Sequence, residues 1–211
     1  TARPRRGACG RALTGYGGAM PPINPNVVTT LRLPLAPIAV AFLLTDTLWG
    51  AIAAAVLAIV LEITDVADGY LARAYDVVTD FGKLYDPFSD AFCRYTLFLG
   101  LYAAGVADLW MVIAIFYRDS SVSFFRSIAA MRRQVVGARW SGKAKAWLQG
   151  LGMQVIFLCL VLQKTHPELP LDSVPWWTML VITIGTMVSF VDYFFGFLPV
   201  LRDAWFNRPH T

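Results

Sequence analysis

DVADGYLARAYDVVTDFGKLYDPFSD, residues 65–90, sets Asp65, Asp68, Asp86 and Asp90 at helical spacing within a strongly apolar chain. The first two are spaced i, i+3 and the last two i, i+4, so on two helices each pair shares a face, one turn apart. A hairpin joining those helices brings all four carboxylates together. Oxygen-only ligands clustered in this way suit hard divalent cations such as Mg²⁺ or Mn²⁺, and in paired sites such ions activate a phosphoryl group between them. The small residues agree. At 100° per residue, Gly69 and Ala72 fall within about 40° of Asp65, so the acidic face of the first helix is bare enough to admit a ligand. Gly82, four residues before Asp86, continues the second stripe.

With Arg73 included, the stretch reads Asp65-x2-Asp68-Gly69-x2-Ala72-Arg73-x8-Gly82-x3-Asp86-x3-Asp90. It resembles the signature of the CDP-alcohol phosphotransferase family at every position. That resemblance implies roles residue by residue. Asp65, Asp68 and Asp86 hold metal. Asp90 completes the acidic metal cluster and serves as base. Asp68, Gly69, Ala72, Arg73 and Gly82 surround the CDP part of the donor.

The chain around this stretch is that of a membrane protein. Of 211 residues 57% are hydrophobic and 15% charged, and the mean hydropathy is +0.55, above the range of soluble domains. Apolar stretches of spanning length run over roughly 27–44, 47–64, 88–106, 109–127, 146–163 and 174–201, which predicts an all-α integral membrane protein of six transmembrane helices. Residues 1–23 are expected to be a disordered leader, 24–205 the membrane domain and 206–211 a cytosolic tail. The leader, Gly- and Arg-rich without an apolar core, does not read as a signal peptide.

Basic residues crowd the start, the second-to-third connection, the fourth-to-fifth connection and the end, while the alternate loops carry Asp46, Asp108 and the mixed Lys164, Glu168 and Asp172. By the positive-inside rule both termini are cytosolic, and the acidic site lies at the cytosolic ends of helices two and three. The localisation expected is the inner, cytoplasmic membrane. The net charge of +4 then reflects topology and attraction to anionic headgroups, with no nucleic-acid partner. Cys9, Cys93 and Cys159 have no metal or redox spacing and are read as small hydrophobes.

Basic residues within apolar helices are a separate signal. Arg32, near the start of helix one, is read as snorkelling to lipid phosphate, with nucleotide contact as the alternative. Pro34 and Pro37 are expected to loosen or kink the same helix. Arg118 lies well inside helix four, where an unpaired guanidinium costs several kcal/mol, so it should line a hydrated cavity or meet an anion; pairing with Asp119 or a motif acid is the alternative. Arg126 projects within about 80° of it. Arg139, Lys143 and Lys145 follow in a basic connection. Arg118-Asp119…Ser123…Arg126 and Ser141-Gly142-Lys143-Ala144-Lys145 resemble segments of the bacterial phosphatidylglycerophosphate synthase branch of the family, although Ala146 stands where a threonine is common. Asp192-Tyr193 is not counted with the site.

The resemblance implies CDP-diacylglycerol as donor, with Asp90 taking a proton from an acceptor hydroxyl that attacks phosphorus and expels CMP. Arg118, Arg126, Arg139, Lys143 and Lys145 form the expected acceptor-phosphate pocket, since arginine grips phosphate through two charge-assisted bonds. This favours glycerol 3-phosphate, ahead of inositol phosphate or phosphatidylglycerol. A homodimer surrounded by membrane lipid is expected. A UbiA-type prenyltransferase and a cation transporter are the rivals; the former has more spans and other aspartate spacings, and the latter's paired broken helices and repeat symmetry are not visible here.

Overall fold

Apolar segments must close their backbone hydrogen bonds internally, and the described residues do so in six helices. The computed structural model describes residues 25–74, 80–131 and 140–206. Its helices are α1 (Pro25–Leu43), α2 (Leu48–Ala74), α3 (Asp80–Ala103), α4 (Leu109–Met131), α5 (Trp140–Thr165) and α6 (Val174–Phe206). Among the described residues there is no strand. Among the described residues three segments are long and apolar enough to cross a membrane: Leu48–Asp65, Trp140–Thr165 and Val174–Asp203. The apolar part of α1, Thr29–Leu43, is shorter, and α3 and α4 carry their charged residues inside the helix. Residues 1–24 and 207–211 lie outside the described residues, and with them Cys9, the leader and most of the tail.

The helices extend beyond the apolar stretches where the motif lies. α2 continues to Ala74 and α3 begins at Asp80, so every motif position from Asp65 to Arg73 and from Gly82 to Asp90 is helical. Pro34 and Pro37 are both accommodated inside α1. Packing runs from α3 to α1 to α2 to α5 to α6 to α4, and a lighter contact of α3 with α4 closes the ring.

Small residues set how near the first helices come. Ala36 and Ala39 of α1 and Ala54 and Ala58 of α2 are fully buried in one core with Phe98 and Leu101 of α3. In a lipid medium close backbone approach replaces the hydrophobic drive as the source of attraction. Gly100 belongs to the same design, because a Cβ there would press on the Val40 side chain of α1. Ala58→Leu is therefore expected to destabilise the bundle by about 1–3 kcal/mol through overpacking. A lower unfolding midpoint in detergent, with helix content unchanged, is the corresponding measurement.

The end of the bundle remote from the motif is tied by polar contacts between connections. Lys164 Nζ donates to Asp46 Oδ1 at 2.7 Å and to the Asp46 carbonyl at 2.8 Å, and the ammonium holds the Asp46 carboxyl below its ordinary range. Trp176 Nε1 donates to Asp108 at 3.0 Å. Thr47 caps α2 by accepting from the Gly50 amide at 3.0 Å.

Candidate functional site

Three helices meet at the motif end, and their register is fixed by polar contacts along the seam between α1 and α3. Ser89 Oγ donates to the Thr29 carbonyl at 3.2 Å, the Cys93 thiol to the Arg32 carbonyl at 3.4 Å, and the Thr30 and Tyr85 hydroxyls lie 3.0 Å apart. This seam carries Arg32 to the acids. Its Nη1 donates to Asp65 Oδ1 at 2.7 Å, and its Nη2 lies 3.6 Å from Asp90 Oδ1. Arg32 is only 3% exposed. The snorkelling expectation is thus corrected: the side chain turns inward because two carboxylates on neighbouring helices offer a stronger partner than distant headgroups.

Asp65 and Asp90, from different helices, therefore converge on one cation. Each remains about one-third exposed, at 35% and 34%, so the pair is open to a ligand. Asp68 and Asp86 lie one turn away in α2 and α3. The side chains of Asp68, Gly69, Ala72, Arg73, Gly82 and Asp86 lie outside the described residues, as does Arg139 altogether. Among the described residues no three acidic, histidine or cysteine side chains form a ligand group. As a donor set, carboxylates that already converge on a cation fit Mg²⁺ or Mn²⁺.

A further arginine completes the acidic side. Arg94, one turn after Asp90, donates to Asp90 Oδ1 at 2.7 Å through Nη2 and to Gln149 Oε1 of α5 at 3.0 Å through Nη1. Gln149, 1% exposed, passes the contact on by donating to Thr186 Oγ1 of α6 at 3.1 Å. Glu62, one turn before Asp65, lies between α2 and α5, where a Cβ on Gly150 would stand 3.2 Å from its carboxylate.

The basic residues of α4 and α5 gather next to this chain of contacts. Arg118, 6% exposed, donates to Asp119 at 2.8 Å and to Ser189 at 2.7 Å, while its buried Nε has no hydrogen-bond partner among the described residues. Lys145, 8% exposed, reaches the other Asp119 oxygen at 2.7 Å. The guanidinium carbons of Arg118 and Arg126 lie 5.3 and 5.5 Å from the centre of the Tyr193 ring, and Arg126 also donates to its hydroxyl at 3.2 Å. Two arginines on one aromatic ring are held as a pair by attraction to its π face. Arg126 and Lys143 are exposed, whereas Arg118 and Lys145 are buried. Ser141 donates to Asp192 beside them. Asp119 and Asp192, two carboxylates, balance only part of the positive charge of Arg118, Arg126, Lys143 and Lys145.

The sequence reading missed Arg94, Glu62 and Ser189 as parts of this end, and it gave no role to Gln149, which follows the Ser141–Lys145 segment, or to the ring of Tyr193. The available signal was polarity inside apolar helices: Glu62 and Arg94 lie at helical spacing from Asp65 and Asp90. Tyr193 is named with Asp192 near this end of the last helix but not counted with the site, and Ser189 gave no signal, since hydroxyl side chains are ordinary in such helices.

Comparison with known proteins gives a consistent result. A family profile described as CDP-alcohol phosphatidyltransferase matches residues 22–191. The chain is 34% identical over 146 residues to the CDP-diacylglycerol--glycerol-3-phosphate 3-phosphatidyltransferase of Bacillus subtilis, covering 64% of this chain and 76% of that protein. It is 29% identical over 160 residues to the protein of the same name from Treponema pallidum, covering 72% of each. It is 31% identical over 175 residues to a Mycobacterium tuberculosis protein named "Probable phosphatidylglycerophosphate synthase", covering 80% of this chain and 78% of that one.

Proposed function

This chain belongs to the CDP-alcohol phosphatidyltransferase family, and we propose that it transfers the phosphatidyl group of CDP-diacylglycerol to sn-glycerol 3-phosphate, giving phosphatidylglycerophosphate and CMP. The observation that carries this reading is the convergence of Asp65 and Asp90 from two helices, beside a basic cluster with excess positive charge. The names of the similar proteins support the same donor and acceptor.

In this reading Asp65, Asp68 and Asp86 hold Mg²⁺ or Mn²⁺, with Asp90 completing the acidic set. The divalent ion supplies charge neutralisation on the diphosphate. Gly69, Ala72 and Gly82 leave room for the nucleotide, and Arg73 contacts it. Asp90 takes the proton of the acceptor hydroxyl, whose oxygen bonds to the lipid-side phosphorus as the bond to CMP breaks. Arg118, Arg126, Arg139, Lys143 and Lys145 hold the acceptor phosphate. The two arginines clasped on Tyr193 are preorganised for it, so less side-chain entropy is lost on binding.

All six helices span the membrane in this reading, with both termini and the site on the cytosolic side of the inner membrane, and the enzyme is a homodimer surrounded by lipid. A donor in the leaflet and an acceptor in water then reach one site.

The acceptor pocket is tested by steady-state kinetics of Arg118→Ala and Lys143→Ala. The expected result is a KM for glycerol 3-phosphate raised about tenfold or more, the loss of one charge-assisted bond, with the KM for CDP-diacylglycerol within about twofold of the parent. Unaltered KM for glycerol 3-phosphate in both variants contradicts the pocket.

A further inference from the structure

The chain of contacts from Asp90 to α6 is not used by the reaction as described above. Among the described residues two guanidinia approach Asp90, and they meet the same oxygen: Arg94 Nη2 at 2.7 Å and Arg32 Nη2 at 3.6 Å, each from Oδ1. Among the described residues no hydrogen bond reaches Oδ2. We infer that Arg94 is a positioning residue for Asp90, fixing Oδ1 through the Gln149–Thr186 contact so that Oδ2 is the oxygen presented to the acceptor hydroxyl. The inference rests on the reading of Asp90 as the base.

Three features argue for a positioning part over simple charge balance. First, Arg94 is bound at both ends of its fork. One terminal nitrogen holds Asp90 and the other holds an amide that is itself fixed by a buried threonine hydroxyl. A guanidinium tethered in this way cannot follow Asp90 through alternative rotamers, and it restrains the carboxylate to one orientation. Second, the tether reaches across the bundle: Asp90 and Arg94 lie on α3, Gln149 on α5 and Thr186 on α6. The carboxylate is thereby referred to helices that carry no motif residue. Third, Gln149 lies one turn from Lys145 on α5, and Lys145 is bonded to Asp119 beside Arg118. One helix face thus holds Asp90 through Gln149 and the basic cluster through Lys145. The base and the acceptor-phosphate residues have a common mechanical reference.

The step this serves is the proton transfer already described. The acceptor O–H proton passes to Asp90 Oδ2, the acceptor oxygen bonds to phosphorus, and the bonding pair between phosphorus and the CMP oxygen leaves with CMP. A base misoriented by a fraction of an ångström loses rate without losing donor or acceptor affinity.

The test compares Arg94→Gln, Arg94→Lys and Gln149→Leu with the parent enzyme in detergent, measuring kcat, both KM values and CMP affinity in the presence of Mg²⁺ by calorimetry. Arg94→Gln is expected to lower kcat about 30-fold or more, within the span that general-base catalysis supplies, and to leave CMP affinity and both KM values within about threefold. Arg94→Lys should recover at least about fivefold of that loss, and Gln149→Leu should lower kcat about three- to tenfold, the share expected of a supporting contact. The decisive arm is the Asp90→Asn background. There Arg94→Gln should change the residual turnover less than about twofold, because partners acting through one group are not additive. Equal fold losses from Arg94→Gln in the parent and in the Asp90→Asn enzyme overturn the inference, as does unchanged kcat in Arg94→Gln. If Arg94→Gln does not fold, Gln149→Leu carries the test, and its kcat equal to that of the parent is the contradicting result. A parent enzyme that releases no CMP with any phosphorylated acceptor fails the functional reading instead, which separates the two failures.

Discussion

Asp90→Asn is expected to lower kcat for CMP release by about 10³-fold, within the 10²–10⁴-fold that a positioned general base contributes. The amide is nearly isosteric with the carboxylate and still accepts a hydrogen bond from Arg94, so the end of α3 should keep its packing. It cannot take a proton at neutral pH. Donor binding should survive, because Asp65, Asp68 and Asp86 remain to hold the ion. The measurement pairs single-turnover CMP release with calorimetric CMP binding in Mg²⁺. Loss of turnover with affinity kept within about threefold fits a base. Near-parental turnover removes Asp90 from that role, and equal losses of rate and affinity make it mainly a metal or binding residue.

The second large effect is expected from removing the ion or its acidic ligands. Chelation with EDTA should reduce turnover at least about 100-fold, with recovery on adding Mg²⁺ or Mn²⁺, because nothing else then neutralises the charge on the diphosphate. Asp65→Asn, Asp68→Asn and Asp86→Asn should each weaken Mg²⁺-dependent CMP affinity about tenfold or more as well as rate. For Asp65 a second consequence follows from its contact with Arg32 at 2.7 Å. Loss of that carboxylate leaves a buried guanidinium with a weaker partner, so Asp65→Asn should also lower the unfolding midpoint. Asp68→Asn is the control in this comparison. Unchanged CMP affinity in all three variants, or full activity in EDTA, contradicts the assignment of these acids to metal.

How far the molecule could be read from its sequence varies with the physics of each part. The helices were legible because apolar runs leave a backbone few alternatives: the stretch at 174–201 lies within helix 174–206, and that at 47–64 begins one residue before helix 48–74, although only three of the described helices are long and apolar enough to cross a membrane. Their polar ends were less legible. The last turns of α2 and the first of α3 carry Asp68, Arg73, Gly82 and Lys83, which lower hydropathy without interrupting helical geometry, so an apolar count stops short of them.

The acidic pair, Asp65 and Asp90, was legible only through a hairpin expected to join two helices whose acids, Asp65 with Asp68 and Asp86 with Asp90, are helically spaced. Which cation bridges it was not. Arg32 lies on a helix whose neighbours are set by Ala36 and Ala39 packing against α2 and by the Ser89 and Cys93 contacts to α1. Those are tertiary facts. The same holds for the basic cluster: periodicity put Arg118 and Arg126 on one face, but their sharing of the Tyr193 ring depends on α4 packing against α6. The expected alternative for Arg118, a pair with Asp119, is present at 2.8 Å, and the proposed anion joins residues that are already preorganised.

The most direct test of the central claim is a product analysis of the purified parent enzyme. CDP-diacylglycerol and Mg²⁺ are supplied with glycerol 3-phosphate, inositol 3-phosphate, glycerol, serine or phosphatidylglycerol in separate reactions, and CMP release and acceptor incorporation into lipid are both measured. The account predicts equimolar CMP and phosphatidylglycerophosphate with glycerol 3-phosphate, at a rate at least about tenfold above any other acceptor, the ratio expected when one charge-assisted contact separates correct from incorrect substrates. Preference for an uncharged acceptor, for phosphatidylglycerol or for inositol 3-phosphate, or CMP release without incorporation of glycerol 3-phosphate, contradicts it.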